Sequence, residues 1–524
     1  MKKLFSLGLL TLTIFAFAAL TACGGDNGYD YEPANSNIPS TANDSDIADN
    51  GMAINGYIDP DIPPDDLVID ICPIIGRPLF EFREGRLWHL TAGFTEVPMD
   101  LGGRNIHIVT GDYHFFNYWE RQDATPNETI RIMGKLRDIE EDYNMTFTFA
   151  AAPRSTYVWQ DILTARLAGE VSSEIVNLNI GGTNPDNMFR QGVFLDLYTP
   201  HVAAILDFEN NPWHDGRFMS NLWGRQHGVH FTTANSGAIL GSMLTFNIEF
   251  MDRFQLGNLF ELVHNNAWTF SNFENTLRWV QYHSNGTVLP LAAASESGIG
   301  PGFIFANGGR TVEHDAGGHL VFVGHENDLA LEAVNFLSNL RANGLLEIIP
   351  GLVIGVGNRP YEMYERAAAG RIMFMSGEYE IVRHFTRQQT PSEFIFGLLP
   401  IPRGDHMEDH VAAMLRYDMY YIVYDAHNQE EIAAILLAMA NRLSKMDIVE
   451  HELRHGLRDA ESGIILEMML QRQVIDYSRM VSVRGRISTA IRDAINGHGT
   501  IRMQFESIEP SVRGTLNDLR TTPN

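Results

Sequence analysis

Residues 101–149 read LGGRNIHIVTGDYHFFNYWERQDATPNETIRIMGKLRDIEEDYNMTFTF, and this stretch decides the fold. Its first apolar run, residues 106–109, leads into Thr110-Gly111-Asp112-Tyr113, which is typical of a strand that ends in a loop. Residues 128–143 place apolar side chains at helical spacing among charged ones, and residues 145–149 return to a β-like pattern. The order strand, helix, strand predicts an α/β protein with a largely parallel sheet.

The same alternation continues along the chain. Strands are predicted over 174–180, 228–232 and 240–247, and helices over 158–168, 270–282, 328–343 and 428–443. In open α/β sheets, ligands bind beyond the carboxyl ends of the strands, which here are the loops at Asp112 and Gly181. The glycine-rich segments Gly300-Pro301-Gly302 and Gly308-Gly309 are predicted to be loops.

The N-terminus carries an export pattern. Two lysines precede an apolar run over residues 4–20, and the small residue Ala22 stands directly before Cys23. This order is typical of a secretion signal, and its end resembles the lipobox of bacterial lipoproteins. The resemblance implies that residues 1–22 are removed and that Cys23 carries the lipid. An ordinary signal peptide and an uncleaved membrane anchor are the alternatives.

The segment that follows is acidic and rich in Gly, Asn, Asp, Ser and Pro. No Lys or Arg occurs between Lys3 and Arg77, so residues 23–77 are predicted to be a disordered tether, and residues 78–103 short appended strands. With Cys72 as the only other cysteine, no intramolecular disulfide is expected once Cys23 is lipidated. A net charge of −27 argues against a nucleic-acid partner, because phosphate binding needs a basic surface.

A series of short segments, in order, resembles the motifs of family 1 extracellular solute-binding proteins, which often bind sugars. The segments are TGDY (110–113), RDIEEDYN (137–144), LTARLAG (163–169), FLDL (194–197), FNIEFM (246–251), AWTFSNF (267–273), AGRIMFMSGEYE (369–380) and GLLPIP (397–402). The resemblance covers roughly residues 101–520. One departure is Tyr379, which stands where the family usually has Trp.

The resemblance implies a two-lobed, periplasmic-binding-protein-like α/β fold of the class II type, with lobes joined by hinge crossovers. The crossovers are expected near 234–241, near 404–413 and around residue 460. The N-terminal lobe would then comprise 104–236 plus 412–460, and the C-terminal lobe 237–411 plus 461–524. The implied function is that of a lipid-anchored extracellular receptor, without cofactor or catalysis, that closes on a carbohydrate and delivers it to an ABC permease.

The candidate ligand residues follow from the same comparison. They are Asp112, Tyr113, Asn179, Glu378, Tyr379, Arg416 and Tyr417. Sugar sites combine aromatic rings, which stack on apolar sugar faces, with carboxylates, amides and Arg, which bond hydroxyl groups. Other roles remain open: Asp112 could cap its turn, Tyr379 could pack in the core, and Arg416 could form a surface ion pair. Trp268 and Trp279, which flank a helical pattern, are predicted to be core residues.

Two rival functions are open. His451-Glu452-Leu453-Arg454-His455 fits the H-E-x-x-H pattern, in which two His on one helical face bind zinc and the Glu activates water. Against a zinc-dependent hydrolase, Arg454 places a cation beside the metal, and no third His follows at the usual spacing. The second rival is a receptor that transports nothing and serves as a surface sensor or adhesin.

Overall fold

The computed structural model describes most of the chain from residue 80 onward. The described residues are 80–83, 86–89, 95–110, 127–151, 158–180, 189, 191–208, 211, 219–222, 225–229, 243–349, 362–377, 396–414, 417–444, 457, 459–479 and 481–520. The predicted signal segment, Cys23 and the predicted tether lie outside them. Within this part of the chain, no helix has both the length and the apolar character of a membrane span.

The first sheet contains six described strands in the order β4-β3-β5-β16-β7-β6. They are β3 (Arg104–Thr110), β4 (Met145–Ala151), β5 (Ile175–Ile180), β6 (Met219–Leu222), β7 (Arg225–Val229) and β16 (Tyr417–Ile422). Strand β3 pairs in parallel with β4 and β5, whereas β16 runs antiparallel between β5 and β7. Strand β16, which comes late in the sequence, therefore lies inside a sheet whose other strands come from the early part of the chain.

The second sheet contains five described strands in the order β12-β9-β13-β8-β14. They are β8 (Met243–Asn247), β9 (Leu289–Ala293), β12 (Leu346–Ile348), β13 (Ile372–Gly377) and β14 (Phe396–Pro400). Strands β12, β9 and β13 are parallel, and β8 is antiparallel to both β13 and β14. Both sheets are mixed: each has three neighbouring parallel strands, and its remaining pairings are antiparallel. The alternation of strands and helices confirms the predicted α/β class, but neither sheet has more parallel than antiparallel pairings.

The remaining strands form small pairs. They are β1 (Phe80–Arg83) with β2 (Arg86–His89), β10 (Val312–His314) with β11 (Leu320–Phe322), and β15 (Ala412–Met414) with β17 (Gln473–Ile475). The first two pairs are antiparallel and the third is parallel. Strand β15 lies in the chain between β14 of the second sheet and β16 of the first. The parallel β15–β17 pair therefore stands on the path by which the chain crosses between the sheets.

Thirteen described α-helices accompany the sheets. They are α1 (Asn127–Asp142), α2 (Val158–Leu167), α3 (Pro200–Leu206), α4 (Glu249–Phe254), α5 (Leu259–His264), α6 (Phe270–His283), α7 (Glu296–Ala306), α8 (Asp328–Ala342), α9 (Glu362–Ala368), α10 (Gln429–Ser444), α11 (Ala460–Gln471), α12 (Arg484–Ile495) and α13 (Ile501–Arg520). Several begin at a side chain that accepts a backbone N–H: Thr269 for α6, Asn327 for α8 and Asp459 for α11.

One predicted loop is a helix. Gly300-Pro301-Gly302 lies inside α7, where all three residues are buried. The glycine is needed for packing, since a Cβ at Gly300 would lie 2.4 Å from Cγ2 of Ile491 on α12. Proline leaves the carbonyl four residues earlier, that of Ser297, without its helical donor, and Nη2 of Arg479 lies 3.4 Å from that oxygen. Tertiary packing therefore overrides the local turn signal.

The two tryptophans that were predicted to be core residues differ. Trp268 is fully buried and donates its indole N–H to the carbonyl of Pro400, at 2.9 Å. Trp279 was predicted wrongly: it is 46% exposed on α6, with its N–H bonded to the carbonyl of Phe254. The helix buries Phe273, Leu277 and Val280, so Trp279 lies beside the apolar stripe and not in it.

Candidate functional site

Two candidate ligand residues, Asn179 and Tyr417, lie at one edge of the first sheet. Strand β3 ends at Thr110 and strand β5 ends at Ile180, and because they are parallel both carboxyl ends lie at the same edge. The antiparallel β16 begins there, with Tyr417 opposite Ile180 and Asp418 opposite Asn179. The backbone positions of Asn179 and Tyr417 are therefore neighbours on adjacent strands.

The other candidates of this lobe lie outside the described residues. Asp112 and Tyr113 follow the end of β3 by two and three residues, and Arg416 directly precedes β16. Their roles as ligand residues stay predictions.

The second sheet presents an equivalent edge. Strand β13 ends at Gly377 and is parallel to β9, with Ser376 opposite Ala293, the last residue of β9. Glu378 and Tyr379 come directly after Gly377 and lie outside the described residues. The segment that resembles the ligand motif of solute-binding proteins thus follows the carboxyl end of a central strand.

Buried polar side chains near these edges were not among the predicted site residues. The hydroxyl of Thr110 lies 3.1 Å from Oδ1 of Asn177, and Asn177 is only 3% exposed. Nδ2 of Asn177 and Oγ of Ser376 are buried without a hydrogen-bond partner among the described residues. The sequence IVNLNI could have indicated Asn177, because it stands two positions before the candidate Asn179, which is the period of a strand.

Two of the resembling segments are physically joined. The backbone N–H of Arg403 donates to the carbonyl of Trp268, and the N–H of Phe270 donates to the carbonyl of Arg403. The Arg403 guanidinium reaches back to the side chain and the carbonyl of Asn266. The chain that leaves β14 is therefore fixed on the segment before α6 just ahead of its crossing to the first sheet.

The crossing segment and the start of α11 bury titratable groups. Burial lowers the pKa of His410 to about 3, which keeps its imidazole neutral. Burial also raises the pKa of Asp459 to about 6, against the stabilising hydrogen bonds that its carboxylate accepts from Ser462. Ser462 in turn accepts, through Oγ, the N–H of Leu398 on β14, at 2.8 Å. Both groups are buried near the crossing, and neither is among the predicted ligand residues.

The zinc motif, His451 to His455, lies outside the described residues. Among the residues whose structure is described, no three His, Cys, Asp or Glu side chains are grouped to hold a metal ion. Glu461, an acidic residue that follows the motif in the sequence, lies with its carboxylate 2.7 Å from Nε2 of His264.

Solved structures share this architecture. The sugar-binding protein MalE from Xanthomonas citri is similar with a TM-score of 0.54 and 12% identity, over 79% of this chain and 98% of its own. The galacto-N-biose-/lacto-N-biose I-binding protein of an ABC transporter from Bifidobacterium longum, in complex with lacto-N-biose, gives 0.52 and 10%, over 80% and 98%. A cyclo/maltodextrin-binding protein complexed with maltotetraose gives 0.52 and 9%, over 80% and 98%.

These similarities establish the fold. The chain has a two-lobed α/β fold like that of these binding proteins, as the motif series implied. No protein-family model matches the sequence, and no curated protein matches it.

Proposed function

We propose that the chain is the carbohydrate-binding component of an ABC importer. The observation that carries this proposal is that Asn179 and Tyr417 lie at the carboxyl edge of the first sheet, while the chain crosses to a second sheet whose strand β13 leads into Glu378 and Tyr379. A solute held between such edges contacts both lobes, as a receptor that closes on its ligand requires. The similarly folded proteins from Xanthomonas citri and Bifidobacterium longum are described as sugar-binding, which supports a sugar ligand.

The lobes of this proposal are residues 104–236 plus 412–460 and residues 237–411 plus 461–524. Closure would be a rotation about the crossings, of which the parallel β15–β17 pair is the described one. Short paired strands can change their backbone angles slightly while both sheets stay intact. The lobes would thus move as rigid bodies.

The ligand is proposed to be a neutral oligosaccharide. Tyr379 and Tyr113 would supply rings for stacking, whereas Asp112, Asn179 and Glu378 would bond hydroxyl groups. The net charge of −27 lowers the encounter rate of anionic solutes, which favours an uncharged ligand. Lipid on Cys23 would hold the receptor at the outer face of the cell membrane, next to its permease.

The test is thermal unfolding of the full chain in detergent with a panel of mono- and oligosaccharides, peptides, polyamines and zinc. A ligand that binds the native state raises the midpoint, by several degrees at saturating concentration. We expect one sugar class to do so, and Tyr379→Ala to abolish the shift. Tyr282→Ala is the matched control, because Tyr282 is a 77% exposed tyrosine on α6.

Other outcomes point to the rivals. A shift with zinc alone, reversed by chelator and lost in His451→Ala, would replace the transport proposal with a metalloenzyme. A panel without any shift would favour the sensor or adhesin. Lipid attachment is tested separately by fatty-acid labelling, which Cys23→Ala should remove and Cys72→Ala should leave intact.

A further inference from the structure

A surface groove runs along helix α8, apart from the sheet edges. It encloses about 710 Å³ and is lined by Asp328, Leu331, Glu332, Asn335, Phe336 and Asn339 of α8 and by Thr500, Ile501 and Arg502 at the start of α13. This volume is within the range of small-molecule sites. None of the lining residues lies in the segments that follow β3, β5 or β13, so the groove is separate from the proposed interlobe site.

The floor of the groove is apolar and rigid. Leu331 and Ile501 are buried, and the half-buried ring of Phe336 stacks on Phe270 with centroids 4.5 Å apart and planes 8° apart. Phe270 itself packs on Phe303 in the core. A ligand on this floor would therefore meet an aromatic surface that is already held in place.

The charges around the groove are already partnered. Nη2 of Arg502 lies 3.0 Å from Oδ1 of Asp328, and Nη1 of the same guanidinium donates to the carbonyl of His325. Oε2 of Glu332 accepts from the side chain of Asn307, at 3.1 Å. A charged ligand would have to displace these partners, whereas a neutral one would not.

Two amide side chains remain for recognition. Asn335 and Asn339 are exposed, lie one helical turn apart on the same face of α8, and line the groove. Neither side chain forms a hydrogen bond with another described residue. Each amide offers a donor and an acceptor, which is the pairing that a sugar hydroxyl uses.

We propose that this groove is a second saccharide site, which binds a neutral sugar by stacking on Phe336 and by hydrogen bonds to Asn335 and Asn339. It requires no closure of the lobes, since all its residues lie on α8, at the start of α13 or directly before α13. Such a site would hold a glycan on the outside of the receptor independently of the interlobe site.

The test observes the asparagine side-chain amide signals directly, by NMR spectroscopy. The full chain is labelled with ¹⁵N-asparagine and titrated with maltotetraose and with lacto-N-biose, and the Asn335 and Asn339 signals are assigned from single Asn→Ala variants. We expect both signals to shift with at least one sugar. Asn335→Ala combined with Asn339→Ala should weaken binding at this site by about tenfold or more, since two hydrogen bonds are lost. Asn275→Ala, an exposed asparagine on α6, should leave it unchanged.

The outcomes separate this site from the interlobe one. Side-chain signals of Asn335 and Asn339 that stay unchanged at saturating sugar would overturn the proposal, even where the thermal midpoint rises. Signals that shift equally in Tyr379→Ala would support the groove whether or not the interlobe proposal holds. Equal sugar affinity with and without the double substitution, measured in Tyr379→Ala protein so that the interlobe site does not contribute, would also refute it.

Discussion

The two sheets are stabilised by cores of different composition. The core that joins one face of the first sheet to α1, α3 and α10 is mostly aliphatic. The core around the second sheet is rich in aromatic rings, with Phe246, Trp268, Phe273 and Phe374 all fully buried. Ring centroids in this group lie 5.3–6.0 Å apart, in tilted or edge-to-face pairs.

The two cores fill their interiors in different ways. In the first lobe, every residue of α10 from Ile432 to Ala440 is at most 2% exposed. This part of the helix is apolar and buried on all sides. In the second lobe, a few large rings from separate elements meet. In the aliphatic core the contacts are spread over many side chains, whereas in the aromatic core a few rings make most of them.

The largest effect is expected for Phe374→Ala. This ring on β13 contacts Phe246, Trp268 and Phe273, so its removal leaves a cavity that three rigid rings cannot fill. We expect a loss of about 3–5 kcal/mol in the free energy of unfolding. Urea denaturation followed by circular dichroism measures it, and a loss under 1 kcal/mol would contradict the concentrated core.

A smaller loss is expected for Leu436→Ala in the aliphatic core of the first sheet. Leu436 is fully buried on α10, but its neighbours are flexible aliphatic side chains that can move partly into the space. We expect a loss of about 2–4 kcal/mol, measured in the same denaturation experiment. A loss greater than that of Phe374→Ala would reverse the contrast between the two cores.

Much of this architecture follows from periodicity. The helix predicted over 270–282 is observed as Phe270–His283, and the strand over 145–149 as Met145–Ala151. The strand alternates buried and exposed residues and the helix begins at the Thr269 cap, so local sequence and tertiary structure agree. The pairing of β16 with β5 could not be predicted in this way, since about 240 residues separate them and strand propensity carries no partner information.

The site was less accessible to sequence reasoning. The positions of Asn179 and Tyr417 at one sheet edge follow from the register of β16, which the sequence does not specify. Helix α7 was missed because its glycine serves a close contact with Ile491 from a distant helix. Trp279 was assigned to the core because its residue type is usually well buried, but helical phase places it at the margin.

The free energy of unfolding should depend on pH through Asp459. This residue caps α11 where that helix packs on the second sheet. Burial raises the pKa of its carboxyl from 3.8 to about 6, so the folded protein binds this proton more tightly than the unfolded chain. The contribution of Asp459 to stability is therefore fully present below pH 4 and is lost as the pH rises toward 6. Asn at this position keeps an oxygen that can cap Ser462.

Asp459→Asn should thus be more stable than the wild-type protein at pH 7, by about 1–3 kcal/mol, and equal to it at pH 3.5. Denaturation midpoints between pH 3.5 and 8 measure this difference. A pH-independent difference between variant and wild type would show that the carboxyl is not the titrating group. Glu506→Gln is the control, because Glu506 is exposed on α13 and is not among the groups that shift the pKa of Asp459.

The smallest effect is expected for Trp279, whose indole N–H makes the same kind of bond as that of Trp268 but in more exposed surroundings. Trp279→Phe removes the 2.8 Å bond to Phe254 at a half-exposed position, where water can replace the lost donor. We expect a loss of about 0.5–1 kcal/mol. Trp268→Phe removes the bond to Pro400 in the aromatic core, where no water compensates and a cavity forms, so its loss should be about 2–4 kcal/mol. Equal losses in the two variants would mean that burial around Trp268 adds nothing to its hydrogen bond, contrary to a core in which large rings carry most of the stability.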